Sequence, residues 1–423
     1  MSIAEKIDWW PRDDYSRVPF KLYHDEAIYE QEMERIFRGP VWNFMGLEAE
    51  IPNTGDFRTT WIGDTPVVYN RTENGEIAAF VNRCAHRGAT VRRESYGNAA
   101  DHTCIYHRWC YDLNGNLIGV PFQRGVHGKG GMSDDFHKSD HRLRPLRVEN
   151  YHGVLFASFK GDEVEPLVDY LGPHHAHHIA RLGSRPMKVI GYQRQYIYGN
   201  WKFYNENLRD LYHGTLLHEF QTTFAIARMT QAGGSKMDPR HRHNLSWGIE
   251  GTDDDEDAKK AYEEAKVKDG VLSLKDGAYV TYRPEWEDDI SISICSVFPN
   301  SCFQQIRNSL ATRQIRPKSM NEFELFWTIY GYEDDDADML HHRNMQANLV
   351  GPAGLISMED GEAVEIVHRA TAREGDFHSV VEVGGGGPIV GTESESLCID
   401  IPCRGFWSYY SELMGIEAEG GIR

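Results

Sequence analysis

The spacing of apolar and polar positions changes character twice along the chain. In the first stretch, Ile28, Met33, Ile36 and Phe37 fall on one face of a helix over Asp25 to Phe37, behind a turn at Trp9-Trp10-Pro11. From Trp42 to about Phe159 the pattern shifts to short alternating runs such as Thr65-Pro66-Val67-Val68-Tyr69, punctuated by Asn74-Gly75, Asn114-Gly115 and Gly130-Gly131. This predicts a small β domain. After Pro166 longer helices mix with strands: a helix over Asn200 to about Phe224, hairpin strands over Tyr279 to Arg316, and a helix over Asp335 to Val350 with acids where the dipole favours anions. The charged run Gly251 to Gly277 reads as a solvated helix-loop excursion rather than a lid. Gly384 to Gly387 is a glycine loop without a phosphate motif. The fold class is α+β, in segments 1-40, 41-160 and 161-423.

Composition narrows the functional classes. With 45 basic against 64 acidic residues the net charge is −19, and no basic stripe offers a surface to nucleic acid. No apolar run reaches the roughly 18 residues a bilayer demands, and Met1 to Asp13 lacks a leader pattern. A cytoplasmic protein without membrane partners is expected. Seven scattered cysteines, an odd number, argue for free thiols and ligands in a reducing compartment rather than a disulfide framework.

Candidate chemistry sits first in Cys84-Ala85-His86 and Cys104-Ile105-Tyr106-His107, separated by 17 residues. Two thiolates and two imidazoles in matched pairs suit either tetrahedral zinc or a [2Fe-2S] centre with cysteines on one iron and histidines on the other. Cys110 reads as a packed thiol. A second candidate lies in the segment from Asn200 to His218. Asp210 and His213 are three apart, whereas His218 lies about 140° farther round an unbroken helix, so the helix must end or bulge near Gly214 for both imidazoles to meet one metal. Two histidines and one carboxylate leave open positions on iron for oxygen chemistry. The carboxylate is either Asp210 or one of Glu359, Asp360 and Glu362, which follow the turn Gly351-Pro352-Ala353-Gly354. The run His174, His175, His177, His178 reads as a surface helix face.

The loops Cys84-Ala85-His86-Arg87-Gly88 and Cys104-Ile105-Tyr106-His107-Arg108-Trp109-Cys110-Tyr111 resemble those of Rieske domains. With Glu206-Asn207-x-x-Asp210-x-Tyr212-His213-x4-His218 and the Gly351 to Glu362 segment following in order, the whole chain resembles the large (α) subunit of Rieske non-haem iron ring-hydroxylating oxygenases. The resemblance implies a [2Fe-2S] cluster on Cys84, His86, Cys104 and His107, and Fe(II) on His213, His218 and Asp360. It implies that Asp210 bridges His213 to His107 of the partner subunit in a trimer, with Asn207 beside it in the catalytic segment. It further implies a helix-grip catalytic domain with a central antiparallel sheet over 161-423, the 1-40 segment packed on it, a small β subunit in an α3β3 assembly, and electrons from NADH through a reductase and ferredoxin. No dinucleotide-binding fingerprint is present, in keeping with separate redox partners. Ile356 departs from the family, which often has an aromatic there.

Within the family the chain looks most like the aromatic-acid branch, of salicylate hydroxylase, anthranilate dioxygenase and terephthalate dioxygenase type, through Ser16 to Phe20, Gly46 to Pro52 and Ser296-Val297-Phe298-Pro299. A ring carboxylate needs a cationic anchor in an apolar pocket, and Arg313 in the strand run Gln304 to Gln314 matches an arginine of those enzymes. Leu397 stands where a second arginine would suit a dicarboxylate, which favours an aromatic monocarboxylic acid of salicylate or anthranilate type as the substrate oxidised with O2. A terephthalate or benzoate-type cis-dihydroxylating enzyme is the alternative. A Rieske electron carrier and a zinc-stabilised binding protein are the rivals from other classes.

Overall fold

The computed structural model describes residues 13-250, 256-267 and 272-416. The Trp9-Trp10-Pro11 turn and parts of the charged excursion lie outside the described residues. The chain divides into two compact units, one formed by the residues through Ile36 together with Pro166 onward, the other by Phe37–Glu165.

In the larger unit, helix α1 (Glu26–Glu32) starts at Asp25, whose carboxylate accepts the N–H groups of Ala27 and Ile28, and tightens into a π-turn over Met33–Phe37. Ile28, Met33, Ile36 and Phe37 are all buried, as the periodicity predicts. Tyr23 stacks on Phe203 with centroids 3.8 Å apart, and the buried Glu32 carboxylate accepts from Lys202 Nζ (2.5 Å), Trp201 Nε1 (2.7 Å) and Tyr410 OH (2.5 Å). Those bonds satisfy an ion pair that water cannot reach.

The smaller unit is all β. Strands β1 (Asn43–Leu47), β2 (Asp56–Ile62), β3 (Thr65–Arg71), β4 (Ile77–Val81), β5 (Tyr96–Asn98), β6 (His102–Thr103), β7 (Cys110–Tyr111), β8 (Leu117–Gly119), β9 (Arg147–Tyr151) and β10 (Val154–Ser158) form three sheets, ordered β4-β3-β2-β5, β9-β10-β1 and β6-β7-β8. Phe57, Val68, Phe80, Trp109 and Leu143 share a core with Cys84 and Cys104.

Beyond Pro166 come α2 (Leu167–Leu182), β11 (Met187–Ile197), α3 (Trp201–Asn207), α4 (Glu219–Thr223), β12 (Gly233–Met237), β13 (Asn244–Ile249), α5 (Glu256–Ala265), β14 (Ile290–Val297), β15 (Ser301–Ile306), β16 (Ser309–Ser319), β17 (Glu322–Tyr332), α6 (Ala337–Val350), α7 (Leu355–Thr371), β18 (Glu393–Ser394) and α8 (Ile401–Met414). The strands build an eight-stranded antiparallel sheet, β11-β17-β16-β15-β14-β13-β12-β18. Helix α7 covers the face carrying Gln193 and Gln195, where Gln195 Nε2 donates to the Ser357 carbonyl (2.9 Å). Among the described residues no helix is long and apolar enough to cross a membrane.

Three expectations change. The helix over Asn200 to Phe224 is broken: α3 ends at Asn207, well before Gly214, and a 3-10 turn over His213–Thr215 precedes α4. The cause is Asp210, whose Oδ1 accepts the N–H groups of Tyr212 (2.8 Å) and His213 (3.2 Å) and thereby competes with helical bonding. The hairpin strands begin at Ile290 rather than Tyr279. The histidine run is not one surface face. His175 and His178 are buried, with His178 Nε2 3.2 Å from Ser293 Oγ, because α2 lays that side on the sheet, while His177 is exposed. The described part of the charged excursion includes the helix α5, exposed except at Ala258 and Tyr262, and the Tyr262 hydroxyl accepts the Met229 N–H (2.9 Å).

Candidate metal centres

In the smaller unit two loops with the same backbone plan present the four predicted cluster residues. The Gly88 N–H returns to the Cys84 carbonyl and the Arg108 N–H to the Cys104 carbonyl, each at 2.9 Å. Both turns need positive φ, 75° at Gly88 and 60° at Arg108; glycine adopts it freely, and arginine pays for its Cβ. Cys84 and Cys104 are buried, and the rings of His86 and His107 stand 4.5 Å apart at 71°. Trp109 stacks flat on His86 at 4.8 Å, and Tyr111 OH sits 3.2 Å from Cys84 Sγ. His86 Nδ1 is buried without a hydrogen-bond partner, the state expected of a nitrogen reserved for a metal. Cys110 lies on β7, half-buried and outside the set.

The larger unit brings His213, His218 and Asp360 together, with one potential ligand atom from each inside a span of 4.8 Å. Asp360 Oδ1 lies 3.3 Å from His213 Nε2 and 3.1 Å from His218 Nε2. Its position follows from the turn before α7: a Cβ on Gly354 would strike the Leu349 carbonyl, so glycine allows the tight connection from α6 that sets the helix phase. Burial disfavours the Asp360 carboxylate, but hydrogen bonds from both histidines hold its pKa well below the usual range. Burial likewise disfavours protonated His213, yet Asp210 and Asp360 push it up to about 10. An environment that retains a proton so strongly equally favours a metal cation.

Asp210 sits behind this set, with Oδ2 3.2 Å from His213 Nδ1, so it is not on the converging side. Asn207 Nδ2 donates to Asp360 Oδ1 at 3.0 Å. Of the three acids weighed after the Pro-Gly turn, Glu362 is exposed, but Glu359 is no solvated acid: its Oε2 lies 2.7 Å from His218 Nδ1. It fixes the tautomer that leaves His218 Nε2 toward Asp360. One helix residue separates a carboxylate facing both rings from one behind a ring, a distinction residue types alone do not carry.

Over this set opens a cavity lined by His213, His218, Asp360, Arg313, Ile356 and Leu397. Its sheet wall carries Ile292, Ile294 and Ile306. Arg313 is buried, not solvent-facing. It donates through Nη1 to Tyr204 OH (2.9 Å) and through Nη2 to Gln304 Oε1, and its guanidinium lies 4.3 Å from the Trp327 ring centroid. No carboxylate pairs with it among the described residues. The polar lining residues that the sequence reading missed include Arg228 and Gln231, which come from the segment before β12 and carry no motif.

A buried thiolate-imidazole cradle suits electron storage, and a two-histidine, one-carboxylate set beside an apolar cavity suits oxygen activation. Together they define an oxygenase fed by electrons from elsewhere. Residues 41–129 match the Rieske [2Fe-2S] domain and residues 169–396 the ring hydroxylating alpha subunit (catalytic domain). The chain is 47% identical to the anthranilate 1,2-dioxygenase large subunit of Burkholderia cepacia, over 96% of this chain and 95% of that one. It is 43% identical to the terephthalate 1,2-dioxygenase terminal oxygenase component subunit alpha 2 of Comamonas sp (99% and 100%), and 39% to the salicylate 5-hydroxylase large oxygenase component of Ralstonia sp (96% of each). The solved structure of naphthalene 1,2-dioxygenase from Rhodococcus sp. bound to indole shares the fold, with a TM-score of 0.77 at 23% identity over 94% of each chain. The chain belongs to the Rieske ring-hydroxylating oxygenase family as an alpha subunit, an oxidoreductase whose cofactors are a [2Fe-2S] Rieske cluster and a mononuclear iron.

Proposed function

We propose that this chain is the terminal oxygenase component that hydroxylates the ring of an aromatic monocarboxylic acid of the salicylate or anthranilate type. The observation that carries the reading is Arg313, a permanently charged guanidinium buried beside the His213, His218 and Asp360 set that forms no ion pair with a carboxylate among the described residues. Burial disfavours its charge, Tyr204 and Asp360 favour it, and a substrate carboxylate would add the direct pair that the guanidinium lacks. The isoleucine wall receives the ring, and Leu397 leaves the tail side of the cavity apolar.

In this reading Cys84, His86, Cys104 and His107 hold the cluster, and His213, His218 and Asp360 hold Fe(II). When bound, the cluster supplies electrons one at a time and the iron activates dioxygen beside the ring. The chain's own residues position and isolate that chemistry. Asn207 orients the Asp360 carboxylate, Glu359 orients His218, and Asp210 holds the Nδ1 proton of His213. Asp210 also serves as the bridging acid toward His107 of the partner subunit. Support comes from two exposed apolar regions. Ile105 and Tyr106, 54% and 59% exposed, precede His107, and a second cavity on the Asp210 side is lined by Leu217 and the exposed Val367 and Val380 beside Asp210 and Asp400. A trimer in which one copy's cluster loops meet another's Asp210 surface covers both. A small β subunit in an α3β3 assembly, a ferredoxin and an NADH-dependent reductase complete the system.

Oxygen uptake with reductase and ferredoxin supplied, over salicylate, anthranilate, benzoate and terephthalate, tests the assignment. Uptake coupled to hydroxylated product with a monocarboxylate is expected. Uptake only with terephthalate or with uncharged aromatics rejects it.

A further inference from the structure

Among the polar side chains of the cavity wall that have no task in the proposed reaction, Gln231 is held in one orientation. Gln231 is nearly buried, and its Oε1 accepts the Arg228 N–H at 2.9 Å. That bond fixes the amide's orientation, since a flipped amide would set two donors against each other. Nε2 keeps its two donors at the cavity wall, and the side chain makes no other hydrogen bond among the described residues. Gly248 creates the space: a Cβ there would collide with Gln231 Nε2 and lie 3.3 Å from its Cδ, so the amide points nitrogen-first at the β13 backbone at its glycine.

Sheet register locates this donor relative to Arg313. On the cavity face, Arg313 shares a cross-strand row with Cys302, Ser296 and Asn244, while Gly248 shares one with Ile292 and Ile306. The rows lie four residues apart along the strands, roughly 13 Å at the usual strand rise, and Gly248 stands on the third strand from Arg313, roughly 14 Å across the sheet. A single ring held by its carboxylate at Arg313 thus turns its far edge, and not its ortho positions, toward Gln231.

We propose that Gln231 is a specificity-determining residue that donates a hydrogen bond to an oxygen substituent meta or para to the anchored carboxylate. The inference rests on Arg313 binding that carboxylate. As a neutral group offering only donors, the Gln231 amide favours a hydroxyl or ether oxygen and gains nothing from an aromatic amine, whose lone pair is delocalised into the ring.

Calorimetric dissociation constants for the metal-loaded full-length protein test this with benzoate, 2-, 3- and 4-hydroxybenzoate and 3- and 4-aminobenzoate. The better of the 3- and 4-hydroxy compounds should bind about tenfold more tightly than benzoate, the weight of one neutral hydrogen bond, and the amino compounds should not. In Gln231→Met, close in shape but unable to donate, that ratio should fall to about one. Gln231→Glu, which presents an acceptor, should shift preference toward the amino compounds. An unchanged hydroxybenzoate-to-benzoate ratio in Gln231→Met overturns the proposal, as does an effect confined to 2-hydroxybenzoate. Failure of the carboxylate reading shows separately, as benzoate binding that Arg313→Met does not weaken; absence of benzoate binding to the unaltered protein overturns both.

Discussion

Replacing Arg313 with methionine separates a substrate anchor from a structural arginine, because the two roles predict opposite balances of affinity and stability. The side chain is buried, with Tyr204 OH and Gln304 Oε1 as acceptors and Trp327 beneath it, but no carboxylate forms an ion pair with it among the described residues. A charge-assisted hydrogen bond contributes about 1.5–3 kcal/mol, so loss of the paired bonds to a ligand carboxylate should cost about 3 kcal/mol, roughly 150-fold in Kd. Folding bears a different balance. Leaving Gln304 without its donor costs about 1–2 kcal/mol, and removing a guanidinium whose burial Tyr204 and Asp360 already offset recovers little of it. The ligand-free variant should therefore melt only slightly lower than the unaltered protein. Titration calorimetry with benzoate and with benzamide, its uncharged isostere, forms a cycle of protein and ligand changes. The benzoate affinity should fall by about two orders of magnitude and the benzamide affinity by far less. Equal losses for both, together with a large drop in melting temperature, would mean that Arg313 serves packing alone.

Other positions give further tests. His213→Ala should lose the mononuclear iron and all oxygen uptake while retaining the visible absorption of the cluster; metal analysis finding that iron still bound would remove His213 from the ligand set. Asp210→Ala should keep both metals yet lose coupled oxygen uptake, and turnover at the original rate would end the bridging role. Glu359→Leu should weaken iron retention about 10–100-fold in chelator competition, because His218 loses the partner that sets its tautomer. Burial pushes the Glu206 carboxyl up to about 7, against the hydrogen bonds from Trp407 and Tyr23 that favour its charged form. From its ordinary value of 4.5 up to about 7 the folded state binds the extra proton, so stability should decline over that window by about 3 kcal/mol and level off above it. Glu206→Gln should flatten that slope in denaturant melts at pH 4.5 to 7.5; an unchanged slope would place the titration elsewhere.

The sequence by itself determined the features whose chemistry is local. Each cluster loop carries its cysteine, its histidine and its turn residue within five positions, so ligand types and spacing were readable without a fold. His213 and His218 were legible for the same reason, as was the need for a break in the helix that joins them. The tertiary structure decided whatever depends on phase and register. Whether Glu359, Asp360 or Glu362 faces the histidines turns on the rotation of α7, and adjacent residues on a helix differ by about 100°. The burial of His175 and His178 depends on which side of α2 meets the sheet, and the end of α3 depends on Asp210 capturing two N–H groups that a helix would otherwise use. Gln231 illustrates the limit most directly. Its meaning comes from Gly248 beneath it and from a strand register that sets it apart from Arg313, relations made by hydrogen bonds between segments distant in the chain and written in no local spacing.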